Sequence, residues 1–406
     1  MMLPAFDDSP ALEKQMRVRR TQRRLRVIDA HCGGEPARVV VSGLPSLPSG
    51  LSVAAQRDVF MAKHDDLRTL LITEPRGYPC QNVNYIVAAS PGSKAVHGFV
   101  IAEQGEPGIY PLMSGHNAVC VATVLLETGM VPMNAVDGEA TTFTLEAPVG
   151  DVEFSAICVG GKARSVKLVN QPAFVLPTRG LQLVVDVPTL GPVNLDIAFG
   201  GMWYAIVDAA SVGLELLPAN GKEICRVGEM VKVAAREQLP VEHPSTSYQG
   251  PDILVFRDAL SEVDDLVVAS ETNESGSRSS RTGRTFRARN AVVMSNGRLD
   301  WERPSTWTGM IDRSPCGTGT CAVMAALWAR GEMSIGDTLI HDSIVGSTFI
   351  GKIESAATVI GADGVAILAV VPSIEGSAWI TQYCDVVVDP TDPFPSGYTV
   401  ADIWSG

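Results

Sequence analysis

Ser114 and Cys316 each stand immediately before a glycine and a stretch that reads as the first turn of a helix, in Ser114-Gly115-His116-Asn117 and Cys316-Gly317-Thr318-Gly319-Thr320. A helix N-terminus carries unpaired N–H groups and a positive dipole end, so it holds anions and makes a nearby thiol more acidic. If two such starts face one another, their N–H groups converge on one small carboxylate, and the hydroxyl and thiol flank it from opposite sides. That arrangement suits chemistry at the carbon beside a carboxylate. A proton leaves a carbon acid while negative charge spreads onto the carboxylate, where fixed donors stabilise it in a dry cleft. Losing one such donor typically costs about 3 kcal/mol in barrier. A free thiol titrates near about 8.5, and a helix start is expected to draw it toward neutrality, as a general base requires.

Cys316 is singled out by its surroundings, between Pro315 and Gly317. The other cysteines, Cys32, Cys80, Cys120, Cys158, Cys225, Cys321 and Cys384, are scattered with no C-x-x-C pair, so neither a disulfide scaffold nor a zinc ribbon is expected. They read mostly as small buried hydrophobes in a reducing compartment.

The elements that must position Ser114 and Cys316 repeat. Ser114 to Gly129 aligns without a gap on Cys316 to Gly331: Gly115 matches Gly317, Val121 matches Val323, Leu125 matches Leu327 and Gly129 matches Gly331. The two segments lie about half the chain apart. Helices are expected at about 117–128 and 319–330, apolar on most faces and so enclosed, each ended by a left-handed glycine. Around them run short β-rich segments such as Arg38-Val39-Val40-Val41, Phe99-Val100-Ile101-Ala102, Ala291-Val292-Val293-Met294 and Val365 to Val371. The expected fold is α+β: two pseudo-symmetric lobes of mixed β-sheet, each wrapped round a central helix. The first lobe is expected over 26–175, with Ser114, and the second over 176–406, with Cys316, the last strands being free to return to the first lobe. Residues 1–25 read as a basic, solvated tail. Asn170 to Pro177 reads as a crossover, Ser270 to Arg289 as a long exposed loop, and 301–308 as an insertion before the second helix.

Composition narrows the class. The chain has 406 residues, 46% hydrophobic and 19% charged, as in an ordinary globular protein of two domains. A net charge of −13 gives no footprint for nucleic acid or an acidic membrane. No run approaches the roughly 18 apolar residues of a membrane span, and the start lacks a signal peptide's apolar core, so a cytoplasmic protein is expected. The six histidines show no H-E-x-x-H or other paired spacing, and no metal is called for. Gly317-Thr318-Gly319-Thr320-Cys321-Ala322 follows Pro315 rather than a hydrophobic strand, so it is a poor dinucleotide loop, and Ser114 lacks the G-x-S-x-G elbow of a serine hydrolase.

Met113-Ser114-Gly115-His116-Asn117 and Asp312-Arg313-Ser314-Pro315-Cys316-Gly317-Thr318-Gly319-Thr320 resemble the two signature segments of the proline racemase family, which includes 4-hydroxyproline 2-epimerases and trans-3-hydroxy-L-proline dehydratases. Ile28 to Pro36, Asn170 to Phe174, Phe199-Gly200-Gly201 and Asp389 to Phe394 resemble further family segments. The resemblance implies a diaminopimelate-epimerase-like fold and cofactor-independent chemistry with neither pyridoxal phosphate nor metal. It implies Ser114 and Cys316 as the acid/base pair. Gly115, His116, Gly317 and Thr318 would supply contacts to the substrate carboxylate, and Asp312, with His116 near it, would meet the ring nitrogen.

The family's racemases carry cysteine at both positions, whereas this chain has Ser114 at the first. An unperturbed hydroxyl is a far poorer base than a thiol, so Ser114 is expected to act as donor or relay. The Ser-and-Cys combination resembles members that epimerise 4-hydroxyproline, dehydrate trans-3-hydroxyproline, or both. Epimerisation ranks first here and dehydration to a pyrroline carboxylate second. A non-catalytic binder of proline analogues is the alternative from another class, separated by its having no need of Cys316. The expected partner is a small proline-type molecule, and a homodimer is compatible with the sequence. The insertion at 301–308 and the segment Arg76 to Asn82 depart from the family pattern near the ring-side pocket.

Overall fold

The computed structural model describes residues 23–104, 109–177, 180–246, 248–263, 283–295, 297–400 and 403–404. The expected basic tail thus lies almost wholly outside the described residues. The two enclosed helices run Gly115–Glu127 and Gly317–Ala329, two residues earlier than the apolar pattern suggests. Each starts at its glycine because the preceding residue, Ser114 or Cys316, holds a non-helical conformation and takes the N-cap position. Every residue of Gly115–Leu126 and of Gly317–Leu327 is buried, which accounts for helices with no polar face. Both end as the repeat implies: Gly129 and Gly331 sit at φ 74° and 75° and donate to Leu126 and Trp328 carbonyls.

Strands close round each helix. Pairings run from Ala378–Val388 through Arg23–Cys32, Glu35–Ser42, Asn82–Val87, His97–Ala102, Ala140–Ala147, Gly150–Val159 and Lys162–Val169 to the C-terminal half of Ala366–Gly376. A second ring runs from Ala173–Val175 through Gly191–Phe199, Trp203–Asp208, Ile253–Arg257, Thr285–Ser295, Thr338–Asp342 and Thr348–Ile360 to the N-terminal half of Ala366–Gly376, which pairs back to Ala173–Val175. The strand Ala366–Gly376 belongs to both rings. Along it Ala369 pairs with Phe174 and, four residues on, Ser373 pairs with Val169.

Both enclosed helices contribute to one hydrophobic core. Outer helices add a further layer to each ring. Val53–Lys63 and Asp65–Ile72 bury Phe60, Leu67, Leu70 and Leu71 against the first. Gly221–Gln238 buries Ile224, Val227, Met230, Val231 and Ala234 against the second, an i, i+3, i+4 stripe typical of a helix lying on a sheet.

Two local expectations change. Of the loop expected over Ser270 to Arg289, residues 270–282 lie outside the described residues, and Thr285–Arg289 is instead the start of a strand paired in parallel with Thr338–Asp342. Its arginines do not forbid a strand, since the Arg287 guanidinium reaches Asp342 (Nε to Oδ2 2.6 Å). The insertion packs on the outer helix: Trp301 and Trp307 join the cluster of Gly221–Gln238, and Trp301 Nε1 donates to Glu237. Among the described residues no helix is long and apolar enough to cross a membrane.

Candidate active site

The two enclosed helices meet at their first residues. A Cβ added to Gly115 would lie 2.7 Å from the Cα of Gly317, and one added to Gly317 would lie 2.8 Å from the Cα of Gly115. Only glycine fits on either side, so Ser114 and Cys316 flank a single junction. Both are buried, at 8% and 7% exposure, which keeps bulk water from the hydroxyl and the thiol.

Cys316 is reached from the strand Gly309–Asp312 through a short turn. Its backbone is held at φ 59°, ψ 111°, a conformation L side chains rarely adopt. A buried network holds it there. Asn290 Nδ2 and the Thr320 hydroxyl donate to the Pro315 carbonyl (2.7 and 3.2 Å), and His341 Nδ1 lies 2.8 Å from Thr320 Oγ1 and 3.1 Å from Asn290 Nδ2. Burial drives the His341 imidazole down to about 3, so it stays neutral and serves as scaffold.

Three donors surround the Cys316 sulfur. Gly319 N–H donates to Sγ at 3.4 Å, Tyr204 Oη lies 3.4 Å from it, and Thr318 Oγ1 lies 3.8 Å from it. Tyr204 and Thr318 are themselves 2.6 Å apart. Burial and the Asp312 carboxylate nevertheless push the thiol well above its ordinary range, and the three donors only partly oppose them. The expected pull of the helix start toward neutrality is therefore outweighed, and Cys316 rests as a thiol. Tyr204 gives the largest of these oppositions, so Tyr204→Phe is expected to push the thiol's titration further up and slow its alkylation at a fixed alkaline pH. Alkylation rate against pH measures this directly; an unmoved profile would show that Tyr204 serves packing alone.

On the other side of the junction, Ser114 Oγ lies 3.3 Å from His116 Nδ1 and accepts from Asn117 Nδ2 at 3.1 Å. Asn117 is oriented by Asn84, whose Nδ2 donates to Asn117 Oδ1 at 2.7 Å. His116 Nε2 lies 3.4 Å from Asn82 Nδ2. Burial lowers the His116 imidazole, with Asp312 opposing, so it is neutral. Three acids gather here. Asp312, 3% exposed, accepts from Ser314 N–H at 2.8 Å. Glu35 is fully buried and accepts from Arg313 N–H at 2.7 Å, and Glu103 Oε1 lies 3.4 Å from Asn117 Nδ2. Burial and Asp312 raise Glu35 well above the carboxylate range and Glu103 to about 8. The Asp312 carboxyl lies among them, beside His116 and Cys316, where a cationic ligand would meet it.

The model of the proline racemase family matches residues 27–306 and 304–399. The chain belongs to the proline racemase family. Among solved structures it is similar to a hydroxyproline epimerase from Agrobacterium vitis with bound trans-4-hydroxy-L-proline, at 31% identity and a TM-score of 0.76, over 94% of this chain and 96% of that one. It is also similar to a probable proline racemase from Agrobacterium radiobacter K84 with bound carbonate, at 31% identity and a TM-score of 0.75, over 94% and 98%. The fold is accordingly the α+β, two-lobe fold of this family, and the chain is an isomerase of the racemase and epimerase type.

The residues singled out from sequence gather at one place. Gly115 and Gly317 make the contact between helices, Ser114 and His116 touch, Thr318 reaches the Cys316 sulfur through Tyr204, and the Asp312 charge acts on both His116 and Cys316. Sequence reasoning missed Tyr204, Glu35, Glu103 and Asn117. Asn117 left a signal, being a polar residue inside an apolar helix; Tyr204 and Glu35 come from strands far away in the chain, and Glu103 directly follows the strand His97–Ala102. All eight cysteines are unpaired, five of them buried.

Glu103 carries a pH consequence. Its carboxyl ionises near 4.5 when exposed and near 8 in the folded protein, so between those values the folded state holds a proton that the unfolded chain has released. Folding therefore weakens as pH rises through that window. Glu103→Gln is expected to melt higher than the wild type at pH 8 and alike at pH 4. Thermal unfolding at both values checks it; an equal difference at both would remove the titration from the explanation.

Proposed function

We propose that this chain takes the α-proton from a proline-type amino acid without a cofactor, most specifically in the 2-epimerisation of 4-hydroxyproline, with Ser114 and Cys316 on opposite faces of the α-carbon. The observation that carries this is the junction itself, where the helix starts bearing a buried hydroxyl and a buried thiol touch at Gly115 and Gly317. The similarity to an epimerase holding trans-4-hydroxy-L-proline supports the substrate class.

In this reading the N–H groups of the two first turns, at Gly115, His116, Gly317 and Thr318, receive the substrate carboxylate and the charge that flows onto it. Asp312 receives the ring ammonium. That ammonium opposes the effect of the Asp312 charge on Cys316, so substrate binding favours the thiolate that must take the proton.

Dehydration of trans-3-hydroxy-L-proline is the second reading, favoured by one observation: Glu103, held neutral up to about pH 8, has a proton available for a departing hydroxyl. One experiment separates the two. The protein is incubated in deuterium oxide with trans-4-hydroxy-L-proline while the α-proton is followed by NMR, then with trans-3-hydroxy-L-proline while a cyclic imine is sought. Exchange and inversion with the first and no imine with the second is the expected result; imine formation without exchange would replace the epimerase by the dehydratase.

A further inference from the structure

A serine hydroxyl is too weak an acid to serve as a proton carrier unaided, since Ser114 must become an oxyanion-like base in one direction of a two-base epimerisation. Serine is among the best helix N-cap residues, yet Ser114 makes no side-chain capping bond, whereas the sulfur of Cys316 at the matching position does cap its helix. The Ser114 hydroxyl is turned instead toward His116 Nδ1, at 3.3 Å. Asn117 Nδ2, fixed by Asn84, fills a lone pair of Ser114 Oγ, which leaves the hydroxyl proton to be directed at the imidazole. The two amide hydrogens of Asn82, on the far side of the ring, have oxygen acceptors in Glu35, Pro36 and Cys80 at 3.3–3.4 Å, so His116 Nε2 is not required as their acceptor. His116 is buried and neutral, and the Asp312 charge favours its protonated form.

We propose that Ser114 and His116 work as one proton carrier, His116 Nδ1 taking the hydroxyl proton as Ser114 Oγ takes the α-hydrogen. This rests on the α-proton chemistry proposed above. The Ser114 O–H bond breaks as an N–H bond forms on His116. The substrate C–H bond breaks as a new O–H bond forms on Ser114, and its electron pair spreads into the carboxylate. Cys316 returns a proton to the opposite face and is left as a thiolate opposite an imidazolium. A proton exchanged through solvent restores both, and no oxidant or reductant enters. His116 thereby gives Ser114 the base strength that a thiol at this position would have by itself.

The test follows α-hydrogen exchange in deuterium oxide from trans-4-hydroxy-L-proline and, separately, from its 2-epimer. One α-hydrogen faces Ser114 and the other faces Cys316. His116→Asn is expected to slow exchange of one epimer by 100-fold or more, the span of a general acid–base contribution, while the other stays within tenfold. Exchange of the second epimer certifies that the variant folds and binds. In a Ser114→Cys background the same His116→Asn change is expected to cost less than tenfold, because the thiol needs no helper. Equal losses for both epimers, equal losses in both backgrounds, or no loss at all would each overturn the proposal. Failure of the wild type to exchange either epimer would instead refute the α-proton chemistry, and is read from the wild type alone.

Discussion

Cys316→Ala is expected to lower kcat/KM for epimerisation by at least about 10³-fold while the protein still folds, because in the proposed mechanism it deletes the proton carrier on one face and leaves no other thiol at the junction. The fold should survive. The sulfur's partners are three donors with alternatives among themselves, Tyr204 and Thr318 already being 2.6 Å apart, and removing one buried sulfur costs on the order of 1 kcal/mol in packing. The left-handed backbone at residue 316 is as strained with alanine as with cysteine, so strain does not enter the comparison. Steady-state rates and a melting curve on the same preparation decide the matter. Turnover within tenfold of the wild type would move the chemistry away from Cys316, and a protein that binds hydroxyproline tightly but never turns it over, with or without the thiol, would favour a pure binder.

The second large effect comes from residues with no side chain. Gly115→Ala or Gly317→Ala puts a methyl 2.7 or 2.8 Å from the opposing Cα, and a backbone atom cannot rotate away as a side chain would. Alanine favours a helix by about 1 kcal/mol over glycine. Overpacking a closed core costs typically about 1–3 kcal/mol, so the clash wins on balance. Relief requires the two helix starts to part by several tenths of an ångström or more. Misplacement of about 1 Å costs on the order of 10²-fold in rate, and that is the expected loss for either variant. Gly129→Ala offers the contrast. It sits at φ 74° with nothing near its missing Cβ, so it should lose about 1 kcal/mol of stability through its backbone alone and keep full activity. If Gly115→Ala were more stable than the wild type and fully active, the glycine contact would have no part in the site.

The parts of this architecture that could be read from sequence are those written locally. The glycines that end the two helices, and the serine and cysteine that begin them, lie within one segment each, and the half-chain repeat shows only because both segments are short and gapless. The supporting polar residues were illegible for the opposite reason. Tyr204 reaches Cys316 across more than a hundred positions, and Glu35 reaches Arg313 across more still, so no spacing announces them. The outer helix Gly221–Gln238 carries a legible pattern of its own, an apolar stripe at 224, 227, 230, 231 and 234 with charged residues between. The acidity of the thiol is not written locally: a helix start acts over one turn, whereas the depth of burial and the nearness of Asp312 are properties of the assembled molecule.

The strand Ala366–Gly376 serves the second ring with one half and the first ring with the other, and its partner Thr348–Ile360 runs alongside it for nearly the whole length. Two bodies joined by such a girder cannot swing on a loose tether. Any parting of the two rings at the Gly115–Gly317 junction must instead flex a continuous ribbon of backbone hydrogen bonds.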